Sequence, residues 1–395
     1  MARRPLGLMG ILASTLLVAA GCGSGSSQQG SSEPIRVGVV GPFTGPYASA
    51  GLDELSAANV VAKTINSAGG SFNGRKIEIV SADDQCDAQV GVQAAQKLVT
   101  EKVVAFVGGY CSGASIPETD ILRRSGDIPF VAVASSNPKL TEQGYDNVFR
   151  ATSRDDDLGP IDASFITQIL NGRRVALMHD NTVFAKGLAG YVRDALVKSG
   201  ATITYFDAIT PGEKDYTSAL TRVASTNPDV FEYTGYYAEA AILIKQYKQL
   251  GLNNKFSFMA GSTVFDPALL QAAGQDANGM YVNYYATLGQ GLTGPKVDAF
   301  VKTYKQQTGK DAGPYSVSEA DGMNVLAQAL MSAKSTNPAD LIKALRAVKY
   351  DGLQGTFSFD AKGDLQAPFP MINYIVQNAA FVPYARQNGS TWVKV

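Results

Sequence analysis

Residues 35–66 read IRVGVVGPFTGPYASAGLDELSAANVVAKTIN. The opening run, 35–40, is β-branched and apolar, as a buried strand requires, and 51–66 places its apolar residues at helical spacing. Between them Gly41-Pro42-Phe43-Thr44-Gly45-Pro46 is turn chemistry. Strand, glycine-rich turn and amphipathic helix make half of a βαβ unit, which obliges the next strand to run parallel to the first.

The unit recurs along the chain. Strand-like runs at 76–80, 103–107 and 129–134 alternate with helical patterns at 88–100 and 115–124. After Arg150 the alternation starts again: helices near 159–170, 185–199, 216–225 and 238–250, and strands at 174–179, 202–206, 230–233, 256–259 and 280–284. This is the pattern of an α/β protein with two doubly wound, mainly parallel sheets. Helical patterns at 296–307, 317–333 and 339–348 and strands at 356–359, 372–377 and 381–384 are too few for a third domain. They are expected to complete the first two lobes, so the chain crosses between lobes more than once.

The amino terminus reads as an export signal. Arg3 and Arg4 precede an apolar run from Leu6 to Ala20, which Gly21-Cys22 and a polar Ser/Gln/Gly stretch end abruptly. The run is short of the roughly 20 apolar residues of a spanning helix. Ala19-Ala20-Gly21-Cys22 resembles the bacterial lipobox, which implies diacylation of Cys22 and a flexible tether after it. An extracytoplasmic protein held to the cell membrane by its lipid is the expectation.

Composition narrows the partners. Net charge is -1 with signs interspersed, so no basic stripe for nucleic acid exists. Of three cysteines, Cys22 is assigned to lipid, and Cys86 and Cys111 remain as an even pair in an exported chain; a disulfide between them is expected. The sharpest catalytic pattern, Gly109-Tyr110-Cys111-Ser112-Gly113, fits a cysteine version of the nucleophile elbow, with Asp156 and His179 following in order. That thiol hydrolase is the alternative to a structural bridge. With a single histidine, and with Asp83, Asp84 and Asp87 reading as a turn, no metal site is expected. No phosphate-cradling glycine motif follows a strand, and no cofactor is expected.

Ligands of open α/β sheets collect beyond the carboxyl ends of the strands. There the first lobe carries Tyr110 to Ser115 and Ser135-Ser136-Asn137-Pro138, and the second carries 179–184, Gly235-Tyr236-Tyr237 and Gly261-Ser262-Thr263. Hydroxyls, glycines and aromatics dominate both sets. A two-lobed cleft of this character suits a small polar molecule with an apolar part.

Together, Val37-Gly38-Val39-Val40-Gly41 with Gly45-Pro46, Ile65-Asn66 with Gly69-Gly70, 83–87, Cys111-Ser112, Pro138-Lys139-Leu140-Thr141, His179-Asp180, 211–215 and Gly363-Asp364-Leu365 resemble the periplasmic leucine/isoleucine/valine-binding proteins. These are type I solute-binding proteins of ABC importers. The resemblance implies a three-crossover hinge near Thr152, Tyr285 and Phe369. The boundaries are then a signal peptide over 1–21, a tether over 22–34, lobe 1 over 35–152 and 285–369, and lobe 2 over 153–284 and 370–395. It also pairs the cysteines matching Cys86 and Cys111.

The same resemblance implies that lobe 1 holds a ligand carboxylate through Ser112, Ala134 and Ser136, with Ser135 between, and that Phe184, Tyr236, Ser262 and Tyr315 line the rest. Here the chain departs from the family. Ser262 stands where relatives place an acidic residue for the ligand's ammonium, Ala50 replaces an aromatic and Phe184 a tyrosine, so Glu319, Asp266 or Glu232 substitutes or the ligand lacks that ammonium. The implied role is a monomeric receptor delivering an amino acid to a permease and its ATPase. Amides, ureas and other carboxylates are alternative ligands, and a sensor is an alternative role.

Overall fold

The computed structural model describes residues 33–395, so the export signal, Cys22 and all but the end of the tether lie outside the described residues. Five strands, β1 (Ile35–Gly41), β2 (Ile77–Asp83), β3 (Ala105–Gly108), β4 (Phe130–Ala132) and β5 (Val148–Arg150), form a parallel sheet in the order β2-β1-β3-β4-β5. The connecting helices are α1 (Ala48–Ser67), α2 (Ala88–Thr100), α3 (Ser112–Arg124) and the single turn α4 (Lys139–Glu142). Burial on both faces explains why the strands read as continuous apolar runs. At the end of β3, Gly108 has φ +115°, and a Cβ there would stand 2.5 Å from the Val40 carbonyl oxygen. Only glycine lets β3 approach β1 at the point where both strands enter the cleft loops.

The second lobe runs α5 (Asp155–Gln168), β6 (Arg174–His179), α6 (Val183–Lys198), β7 (Thr202–Ala208), α7 (Thr217–Ser225), β8 (Val230–Tyr233), α8 (Tyr237–Gln249), β9 (Ser257–Ala260), α9 (Pro267–Ala273) and β10 (Tyr281–Tyr285). Its sheet has the order β10-β9-β8-β6-β7, extended beyond β10 by strands Met371–Gln377, Ala380–Asn388 and Thr391–Lys394. Those last three are antiparallel, in sheets expected to be mainly parallel. For the last two pairings the reason is loop length: Asn378-Ala379, both at positive φ, and Gly389-Ser390 close two-residue hairpins, and so short a link cannot cross to a parallel neighbour.

Between β10 and Met371 the chain returns to the first lobe with α10 (Pro295–Thr308), α11 (Pro314–Ala333) and α12 (Pro338–Arg346). Helix α11 packs along α1 and over β3 and β4. The chain thus passes between lobes three times: after β5, after β10 and before Met371. The middle passage is tied to the first, because the Tyr285 hydroxyl lies 3.0 Å from the Thr152 hydroxyl and accepts the Ser153 N–H at 3.3 Å. Among the described residues no helix is long and apolar enough to cross a membrane.

Candidate functional site

The lobes meet over the carboxyl ends of β1, β3, β4, β8 and β9. Strand β4 ends at Ala132, and Val133 to Asn137 continue out of the sheet as the floor of the gap. The loop sends its two adjacent serines to opposite sides. Ser135 turns into the first lobe, where its hydroxyl donates to the Gly109 carbonyl at 2.7 Å and meets Ser115 Oγ at 2.8 Å. Ala134 and Ser136 instead line a cavity between the lobes.

From the first lobe Tyr110, Tyr315 and Ser318 also line that cavity, from the second Ser262, Thr263 and Tyr284, and at the crossings Thr152 and Tyr285. Ser112 opens α3 and is buried; its hydroxyl accepts the Asn137 N–H at 3.3 Å, so it braces the floor. Tyr236 stands at the centre of an aromatic cluster, with ring centroids 4.7 Å from Tyr47, 5.6 Å from Tyr110 and 5.4 Å from Phe184. Of the eight predicted binding residues, Ala134, Ser136, Ser262 and Tyr315 meet at the cavity, Ser112, Phe184 and Tyr236 form its support, and Ser135 faces away.

Several cavity residues carried no assigned role in the sequence. Tyr110 directly follows β3 beside the cysteine that drew attention to the loop, and its position after a strand was the available signal. Thr152 and Tyr285 were expected only as hinge positions, and no local pattern marks Tyr284 beside them. Tyr47 and Tyr110 reach across the gap: Tyr47 donates to Glu239 at 3.2 Å, and the Tyr110 hydroxyl donates to the Thr263 carbonyl at 3.5 Å. Ser49 adds two contacts with the second lobe, its hydroxyl donating to Asp266 at 2.8 Å and its N–H to the Tyr237 hydroxyl at 3.2 Å.

These contacts hold the lobes together. About 20 Å³ remains between them, room for about one water molecule, so a solute enters only as the lobes part. The cavity wall has no charged side chain among the described residues. Burial pushes the phenols of Tyr110, Tyr236, Tyr284 and Tyr315 well above their ordinary value, and each remains a neutral hydroxyl. The three carboxylates considered for a ligand ammonium are elsewhere. Asp266 caps α9 through the Ala268 N–H, Glu232 is buried beside Asp162, and Glu319 is buried near Glu54 between α11 and α1.

Cys111 precedes α3 and is bonded to Cys86. This corrects the nucleophile-elbow alternative, since the sulfur that would attack is consumed by the bridge. His179 ends β6 in the other lobe, where its Nδ1 accepts the Asn181 N–H at 3.0 Å. The bridge ties the loop after β2 to the loop after β3 and stiffens the first wall of the gap.

Comparison with known proteins agrees with this architecture. The family described as periplasmic binding protein matches residues 34–379. The leucine-specific-binding protein of Salmonella typhimurium is 34% identical over 340 residues, covering 86% of this chain and 90% of that protein. The branched-chain amino acid transporter substrate-binding protein of Streptococcus pneumoniae, solved with isoleucine, superposes with a TM-score of 0.81 at 24% identity, covering 92% of this chain and 100% of that one. A solute-binding protein of R. palustris, solved with benzoate, superposes with a TM-score of 0.78 at 19% identity, covering 92% and 98%. With its two parallel-sheet lobes, three crossings and interlobe gap, the chain belongs to the periplasmic binding protein family.

Proposed function

We propose that this chain is the extracytoplasmic receptor subunit of an ABC importer, lipid-anchored through Cys22, which closes around a small amino acid and presents it to a membrane permease and its ATPase. The observation that carries the reading is the division of labour around the gap. One wall offers hydroxyl and peptide donors at Ala134 and Ser136, and the surrounding aromatics offer an apolar enclosure. Neutral donors can hold a carboxylate in a desolvated cleft because hydrogen bonds to an ionised group are strong. Binding then requires only that the solute touch both lobes and so favour the closed arrangement. The relatives named for leucine and crystallised with isoleucine support a branched-chain amino acid as the solute.

A second reading has its own observation. The cavity wall lacks a carboxylate, and a buried ammonium without a countercharge costs several kcal/mol. That favours a carboxylate with no α-ammonium, a ligand type of which the R. palustris protein's benzoate is an example. A thermal-shift screen of the untethered protein over amino acids, their deaminated analogues and short amides separates the two. Stabilisation by L-leucine supports the first reading, stabilisation by the deaminated acids alone supports the second, and a response to neither class refutes both.

A further inference from the structure

We propose that Arg150 is a positioning residue for ligand binding: its guanidinium, aimed by Asp364 from the third chain crossing, holds the floor loop so that the Ser136 N–H faces the gap. This rests on the reading that the gap holds a carboxylate.

Arg150 ends β5 and is completely buried. Its Nη1 donates to the carbonyls of Ser135 and Asn137, both at 2.9 Å, its Nη2 to the Thr141 hydroxyl at 2.8 Å, and its Nε to Asp364 at 2.7 Å. In a trans peptide the C=O and the following N–H point in opposite directions. Pinning the Ser135 carbonyl on Arg150 therefore turns the Ser136 N–H away from it, toward the side where Ser136 lines the cavity. The neighbouring amides are already used: Val133 donates to Gly108, Ser135 to Gly109, and Asn137 to the Ser112 hydroxyl. Among the described residues no acceptor takes the Ser136 N–H.

The guanidinium does a second thing. By polarising the Ser135–Ser136 peptide it brings cationic character to a cavity with no charged side chain of its own, as a helix N-terminus does for anions. Asp364 fixes the fork. Its second oxygen accepts from Arg154 Nη1 at 2.7 Å, and both oxygens lie within 3.0 Å of the Thr141 hydroxyl. Gly363 allows this approach, since a Cβ there would collide with the Val148 carbonyl. Burial alone would raise the Asp364 carboxyl, but the two arginines outweigh it and keep the group below the ordinary carboxylate range. The first and third crossings are thereby joined to the donor loop.

The test uses the mature folded protein with L-leucine as the calorimetric probe, together with melting temperature and the backbone amide resonance of Ser136. Arg150→Lys keeps a cation but loses the fork that reaches two carbonyls and Asp364 at once. Asn147→Ala removes a buried bond to the Ile128 carbonyl in the same lobe and leaves Arg150, Asp364 and the floor loop untouched. Arg150→Lys is expected to weaken L-leucine at least tenfold and to displace the Ser136 amide resonance. Asn147→Ala should lower the melting temperature yet keep the affinity within twofold. If Arg150→Lys loses stability but binds L-leucine as the wild type does, the proposal is overturned. Should Arg150→Lys not fold, the near-isosteric Asp364→Asn carries the same comparison, with at least a threefold loss expected and an unchanged affinity overturning the idea. A wild type that ignores L-leucine would count against the ligand, not against Arg150. The Ser136 amide then decides, unmoved in Arg150→Lys and Asp364→Asn against the proposal and displaced in its favour.

Discussion

The two walls of the gap are built on different principles. The first-lobe wall is braced, and beside Tyr110 and Tyr315 it carries a polar loop: the Cys86–Cys111 bridge, the Ser112 hydroxyl and the Arg150 fork each hold part of that backbone. The second-lobe wall is mostly aromatic and hydroxylic, with Tyr236, Phe184, Tyr284 and Ser262, and among the described residues no fixed charge faces the cavity. A rigid donor loop loses little entropy when an anion docks, whereas an aromatic wall makes up shape and apolar burial. The first lobe is therefore suited to recognising the head group common to many solutes, and the second to selecting among their side chains and making closure favourable.

Breaking the brace gives the largest expected effect. Reduction of the Cys86–Cys111 bridge, which closes a loop of 25 residues' separation, should cost about 3 kcal/mol in the chain-entropy account and lower the melting temperature by several degrees. An identical melting curve with and without reductant would show that the first wall does not depend on it. Giving the second wall a charge should sharpen the contrast. Ser262→Glu is expected to raise the preference for L-leucine over 4-methylpentanoate about tenfold, or about 1.4 kcal/mol, as read by paired calorimetric titrations. An unchanged ratio would mean that Ser262 does not face the bound solute.

Ser136→Ala removes the hydroxyl but keeps the peptide N–H, so affinity should fall only about fivefold, close to 1 kcal/mol, with the melting point unaltered. A loss of a hundredfold would shift the emphasis from backbone to side chain. A last effect concerns pH. Burial pushes Asp84, Asp155 and Asp321 of the first lobe and the crossings up to about 7, and Asp162 of the second lobe likewise. In the unfolded chain such groups release their protons near pH 4. The folded state then binds more protons between these values, and stability falls as pH rises through that window. The melting temperature at pH 5.5 should exceed that at pH 8. Asp155→Asn should narrow the gap, and a melting point that rises with pH would contradict the assignment.

Much of this was legible because it is local. Glycine-rich turns after apolar runs located the cleft loops, and an even cysteine pair in an exported chain indicated the bridge. Strand β5 escaped notice because Val148-Phe149-Arg150 is only three residues long and ends on a buried arginine. The antiparallel pairing of the last three strands with one another followed from hairpin links shorter than any crossover.

What the chain's pattern settled unaided was the kind of fold, since strand and helix periods and turn chemistry depend on residues a few positions apart. Which of two adjacent serines faces the solute was decided only when Gly109 and Ser115 arrived to bind Ser135 and leave Ser136 to the gap. The role of Arg150 was equally hidden, because its partner Asp364 lies 214 residues away. Contacts between distant residues form only after the sheets and crossings have set their register, and no local spacing encodes them.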